Sequence, residues 1–463
     1  MRWVSATPGW TMRQSTGIPD LAGLVADRDT ISVPRDIRRI GSSVLLEVLG
    51  SYLAADHAVE NRVSPDATLF AGAAATAFRL AATAHSLDLD ETHFGSSVHS
   101  GSAVVGTLLG LASTGGSVPD GDHLRDAVVV SMEIAARVGL GAPGAAQRRG
   151  YTTTAVYAPL ASSAAAAWTL GLDHRRTAHA LSLATDGAGG TRGGHLDGGA
   201  DTKFLHMGRS AAWGVACAAL AAKGATGAPD PLFGRFGLFR TVLGIAPDEV
   251  DQKAILEGIG TRWVVRSVGF KAFATHLGTQ ACAAELLSVL DERDWREVEA
   301  VKCTIPPDLI PTVGEPRESK LRPANGYAAR FSLPIVAALC MLDGELHVDS
   351  FEERSIRRAD VSEIASRVEV VGDPDAPVSR DYPGRIDVRF TDGSLHSSPW
   401  RPAPGVPARP LSEADLETKF RSLVEPRCGS RTAALILEEV RGPARSQRLL
   451  ELVGAAWAAG DAW

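Results

Sequence analysis

The chain has 463 residues, 45% hydrophobic and 22% charged, a composition that belongs to folded globular proteins and excludes a disordered one. Its formal net charge is -7 and its lysines and arginines are scattered, so it lacks the basic stripe of a nucleic-acid binder. Five widely spaced cysteines, without a C-x-x-C pair, exclude a disulfide framework and a thiolate zinc site, and predict a cytoplasmic protein.

The opening segment MRWVSATPGWTMRQS carries no apolar leader core, and no apolar run approaches the ~20 residues of a membrane span, so neither export nor insertion is expected. From Arg35 to Arg240, apolar residues recur at spacings of three and four. This predicts helices at Arg35–Ala55, Ala67–His85, Ser102–Ser113, Gly121–Val138, Ala155–Leu170, Arg175–Ala184 and Ser210–Lys223. Their richness in alanine and glycine points to closely approaching helices in layers. The stretch Gly187–Gly199 is glycine-rich but matches neither G-x-x-x-x-G-K-[ST] nor a strand-anchored G-x-G-x-x-G, so nucleotide binding is not expected.

Beyond Gly260 the texture changes. Short β-branched runs at Glu299–Ile305, Val368–Val371 and Arg385–Phe390 alternate with helical patterns at Thr279–Leu290 and Leu333–Leu342. Asp392-Gly393 after Phe390 predicts a hairpin, because that dipeptide accepts the positive φ angles of a tight turn. The five prolines of Pro399–Pro410 mark a linker, and helices resume at Ser412–Val424 and Arg431–Leu449. The fold expected is mainly α: a large helical domain over residues 1–262 and 405–463, and a smaller α+β lid domain over 263–404.

Three clusters could carry chemistry. His85, Asp88, Asp90, Glu91, Thr92, His93 and His99 crowd between two apolar helices, where a polar segment either lines a cleft or caps the helices as a solvated loop. Lys203 and His206, three apart at the threshold of a helix, could share a face and meet an anion, or lie in a solvated turn. Arg262, Arg266, Lys271 and His276 sit among aromatics at the change of texture, where small-molecule sites and structural ion pairs both occur. The histidine and carboxylate spacings match no standard metal set. Together the clusters offer cations to hold a carboxylate and groups to move a proton beside it.

The motifs DLDETHFGSSVHSG, DTKFLHMGRSA, FKAFATHLGTQ, RFSLPIVAALCMLDG and PLSEADLETKF, in that order, resemble the MmgE/PrpD family of dehydratases, decarboxylases and epimerases acting on carboxylic acids. The resemblance runs from about Pro34 to the end of the chain. It implies a homodimer without a cofactor or metal, and a small carboxylate as substrate. It implies a catalytic set of His99, Asp88, Thr92 and His276, with His99 moving the proton. Substrate binding would fall to Lys203, Lys271, His206 and the Thr152 position. Two positions depart from the family pattern: Thr152 stands where many members have the histidine of G-F-H-x-T, and Ile335 where they have the tyrosine of S-L-P-Y. Threonine cannot replace imidazole as an acid or base. A less charged or bulkier acid is the expected consequence, with Ile335 making one wall apolar. The leading expectation is a lyase, a dehydratase that abstracts an α-proton and expels a β-hydroxyl. The alternatives are an epimerase, a decarboxylase or an inactive ligand-binding paralogue.

Overall fold

The computed structural model describes residues 17–55, 59, 62, 71–115, 118–194, 199–377 and 379–460. The first body opens with α1 (Ile18–Ala26), α2 (Arg35–Ala54), α3 (Gly72–His85), the two-residue strand β1 (Thr92–His93) and α4 (Gly101–Ala112). It continues through α5 (Gly121–Leu140), α6 (Thr153–Leu170), α7 (His174–Ala184) and α8 (Thr202–Ala222). The predicted helices are all present where they are described. Residues 67–70 of the one expected at Ala67–His85 lie outside the described residues, as do 1–16 and 195–198. Small residues set the helix spacing: a Cβ on Gly110 of α4 would lie 2.6 Å from the carbonyl oxygen of Ala73 in α3, and one on Gly214 of α8 2.4 Å from Ser162 in α6. Only glycine lets these backbones approach so closely.

The second body starts from β2 (Val268–Gly269) and α9 (Leu277–Leu290). It adds β3 (Val298–Ile305), α10 (Leu333–Asp343), α11 (Ala359–Ser366), β4 (Val368–Gly372), β5 (Arg385–Phe390) and β6 (Leu395–Ser397). The four longer strands form one sheet in the order β4-β3-β5-β6, with β3/β4 parallel and the other pairs antiparallel. The hairpin expected at Asp392-Gly393 joins β5 to β6, and Gly393 takes φ +85°. The chain then returns through α12 (Glu413–Arg441), broken at Gly429 beyond Pro426, and α13 (Ser446–Gly460). The helix expected at Arg431–Leu449 is therefore two helices, parted at Gly442.

Two apolar cores correspond to this division. One gathers side chains from Ile18 to Ala274 and again from Phe420 to Ala456, and the other gathers Cys282 to Phe390. Phe94, Leu277, Ala281, Ala403 and Val406 pack together where the two meet. Among the described residues the five cysteines are unpaired and no helix is long and apolar enough to cross a membrane.

Candidate active site

The loop between α3 and α4 carries the densest polar cluster, and burial forces its polar groups to find partners within the protein. β1 pairs with β2, placing Thr92 opposite Gly269 and His93 opposite Val268, so this loop and the segment bearing Lys271 are stitched together. His93 serves that stitch, with Nε2 on the carbonyl of Val264 at 2.9 Å and Nδ1 on Ser96 Oγ at 2.7 Å. His85 Nδ1 is paired with Asp90 Oδ2 at 2.7 Å, both side chains fully buried.

Asp88 adopts φ +52°, a left-handed conformation that aspartate tolerates at a cost of ~1 kcal/mol or more. Its carboxyl lies between two buried lysines, in contact with Lys203 Nζ and 3.2 Å from Lys271 Nζ. Lys271 also donates to the Asp88 carbonyl at 2.5 Å. Burial alone would raise the pKa of Asp88, but the two ammonium groups outweigh it and hold the carboxyl well below the usual range. The Asp88 carboxylate is shared by the two lysines, and Asp90, paired with His85 behind them, adds a second buried carboxylate whose charge acts on Lys203.

His99 and His276 are both half-buried and both line the same cleft, but the backbone gives them opposite tautomers. His99 Nδ1 lies 2.7 Å from the carbonyl oxygen of Glu91, which can only accept, so Nδ1 carries the proton and Nε2 is the basic nitrogen. Thr92 Oγ1, 3.0 Å from the same Nδ1, steadies the ring from behind. His276 caps α9: its Nδ1 accepts the Gly278 N–H at 3.1 Å, so in the neutral ring Nε2 carries the hydrogen. Burial pushes His99 down to about 3, helped by the charges of Lys271 and Lys203. Burial likewise holds His276 well below its ordinary value. At neutral pH the site therefore presents one imidazole lone pair and one imidazole N–H.

The cleft encloses about 670 Å³. Asp88, His99, Thr152, Lys203, Lys271 and His276 line it, so six of the eight site residues that the family resemblance implies converge there. Thr92 is not among the lining residues and stands behind His99, in hydrogen-bond contact with its ring. His206 is not among the lining residues. It packs under the glycine loop, where a Cβ on Gly190 would lie 2.8 Å from its Nε2. Three residues along a helix turn a side chain roughly 60° away from perfect alignment, and that offset takes His206 out of the site that Lys203 enters. Ile335 is fully buried in the second core and is absent from the lining, so the expected apolar wall at that position does not exist. Sequence reasoning missed Arg192 and Tyr382, single loop residues, and Asp308 and Thr312, which share the short helical segment 307–313; all four line the cleft. Among the described residues no group of three or more His, Cys, Asp or Glu side chains is arranged to hold a metal.

A helical body and a smaller α+β body thus meet around a cleft lined by the Asp88, Lys203 and Lys271 triad and by two histidines. The MmgE/PrpD N-terminal domain matches residues 20–250 and the MmgE/PrpD C-terminal domain residues 273–441, and the chain belongs to this family. It is similar to the human cis-aconitate decarboxylase, 29% identical over 350 residues that cover 73% of this chain and 70% of the relative. The mouse cis-aconitate decarboxylase is 28% identical over 353 residues, covering 73% and 69%.

Proposed function

We propose that the protein is a lyase acting on a hydroxy carboxylic acid, removing the proton α to a carboxylate and expelling the β-hydroxyl. The observation that carries this reading is the pair of opposed tautomers beside two lysines that line the same cleft. Lys203 and Lys271 hold the substrate carboxylate, and their charge stabilises the enolate-like anion that forms when the α-proton leaves. His99 Nε2 takes that proton. A neutral His276 donates its Nε2–H as a hydrogen bond without giving up the proton, a role that suits an oxygen gaining negative charge. The His99 imidazolium then passes the same proton to the departing hydroxyl, which leaves as water and returns His99 to its neutral form. Since one imidazole serves both atoms, hydrogen and hydroxyl leave from the same face. Residues 1–262 with 405–463 act in this reading as the body, and 263–404 as the lid.

A decarboxylase is the second reading, favoured by the names of the two relatives. Losing carbon dioxide needs stabilisation of the carbanion but no base to create it, which leaves the lone pair of His99 without a first task. The test is proton NMR of the protein with malate or citrate in D₂O. Deuterium at the α-carbon with a new vinyl signal supports dehydration. Exchange alone supports epimerisation, release of carbon dioxide without exchange supports decarboxylation, and no change with any di- or tricarboxylate overturns the enzyme reading.

A further inference from the structure

The segment 270–276 carries both Lys271 and His276, yet it forms neither helix nor strand, so its backbone polar groups need partners of another kind. Side chains supply several of them. Gln280 of α9 accepts the Ala272 N–H at 3.0 Å and donates Nε2 to the Phe273 and Thr275 carbonyls at 2.9 and 3.1 Å. Arg330 donates to the Ala274 carbonyl at 2.6 Å, and its own carbonyl accepts the His276 N–H at 3.0 Å. The Lys271 carbonyl is served by Lys419 Nζ of α12, at 2.6 Å.

Lys419 lies 148 residues further along the chain and pairs with Glu47 of α2, the two side chains being 10% and 3% exposed. Neither lines the cleft. Ala272 and Ala274 share a separate hollow with Lys419, so this lysine stands behind a loop whose front presents Lys271 and His276. Apolar residues of similar volume would join α2 to α12 at least as well as a buried ion pair does. They could not bond the Lys271 carbonyl.

We propose that Lys419 is a positioning residue: by holding the Lys271 carbonyl from behind, it fixes where the Lys271 ammonium stands in the cleft and so sets the affinity for the substrate carboxylate. This rests on the reading of Lys271 as a group that holds that carboxylate. Lys271 is fixed at both ends, by Lys419 at its carbonyl and by Asp88 at its Nζ, which lies 2.5 Å from the Asp88 carbonyl and 3.2 Å from its carboxyl. Freed at the carbonyl, the loop can shift, and a misplacement of ~1 Å is enough to weaken a contact that depends on alignment.

The test is a double-mutant cycle read by calorimetric titration with citrate and with malate, on the wild-type protein, Lys419→Met, Lys271→Met and the two together, with a thermal melt of each. Lys419→Met should weaken binding about tenfold, the share of one hydrogen bond from a charged donor. Lys271→Met should weaken it about 30-fold or more, as removing one partner of a desolvated charge pair does. In the Lys271→Met background the second substitution should change affinity by no more than about twofold, because Lys419 then has no ammonium to position. A lower melting temperature with near-wild-type affinity in Lys419→Met makes the lysine merely structural and overturns the assignment, as does an additive loss in the double variant. Should Lys419→Met fail to fold because Glu47 is left buried and unpaired, Glu47→Gln combined with Lys419→Met removes the pair without that penalty and takes its place in the cycle. Full affinity in Lys271→Met, or no binding of either acid by the wild-type protein, overturns the carboxylate reading and the proposal with it.

Discussion

Replacing His99 by asparagine separates its chemistry from its structural bonds. The Nδ2 of asparagine occupies nearly the place of the imidazole Nδ1, so it can still donate to the Glu91 carbonyl, 2.7 Å from the histidine nitrogen. The variant thereby avoids leaving a buried acceptor unpaired, a penalty of ~1–3 kcal/mol that an alanine would incur. What it removes is Nε2. If that atom takes the α-proton, kcat should fall by about 10²–10⁴-fold, the usual share of one general base, with KM changed by a small factor. The assay is initial velocity on whichever acid shows α-exchange, alongside a thermal melt on the same preparation. The pH profile supplies a second reading. Because burial and the neighbouring lysines push His99 down to about 3, the base stays unprotonated well below its ordinary 6.5, and kcat/KM should show no acid limb between pH 5 and 7. A folded His99→Asn enzyme within a factor of a few of wild type refutes the assignment. An acid limb near 6.5 that vanishes in this variant would show instead that the imidazole is solvated.

Thr92→Val should lower kcat by up to about tenfold with KM unchanged, since the hydroxyl 3.0 Å from His99 Nδ1 contributes one hydrogen bond's worth of positioning; an unchanged kcat removes Thr92 from the site. Arg137→Met should cost ~3–5 kcal/mol in urea unfolding and spare turnover per folded molecule, because the guanidinium pairs with buried Glu133 at 2.7 Å and donates to the Ile255 and Glu257 carbonyls far from the cleft. Glu91 is raised to about 8 by burial and then by Asp90, so the folded state keeps its proton where the unfolded chain has lost it: its contribution is greatest below pH 4.5 and fades as pH rises to 8. Glu91→Gln should therefore gain stability relative to wild type between pH 5 and pH 8, at ~1.4 kcal/mol for each tenfold fall in proton concentration, and parallel pH curves for the two proteins would contradict this. Sedimentation equilibrium should return about twice the 48.6 kDa chain mass at micromolar concentration, and a single monomeric species would count against the homodimer that the family resemblance implies.

The helices were legible where alanine and leucine recur at helical spacing, and β5 agrees with its expected span, Arg385–Phe390, to the residue. Alternation along a half-buried strand and an Asp-Gly turn after it leave little freedom of register. α1 was not anticipated, because its nine residues IPDLAGLVA contain too few turns for a period to show. The division of the last helices was misplaced for a related reason: Gly442 and Pro443 interrupt a pattern whose apolar residues keep their spacing on either side. The helix is broken again at Gly429, where φ +78° and ψ 155° leave the helical region.

The site was legible to the extent that its chemistry is concentrated in short runs. Asp88, Thr92 and His99 fall within twelve residues, and the lysines announce themselves by standing among apolar neighbours they have no use for. Arg192 and Tyr382 offered no such signal, since each is contributed singly by a loop whose position is set by pairings elsewhere, as Arg192 is by Gly150 and Tyr151. The division of labour between the histidines lies deeper still. It depends on a carbonyl facing one ring and an N–H facing the other, groups that every residue carries and that no sequence pattern marks. Glu91 contributes its carbonyl because β1 begins beside it, and Gly278 contributes its N–H because it lies in the first turn of α9, which His276 caps. The backbone at the starts of these two elements, more than the identity of either side chain, thus decides which imidazole can accept a proton and which can only donate a hydrogen bond.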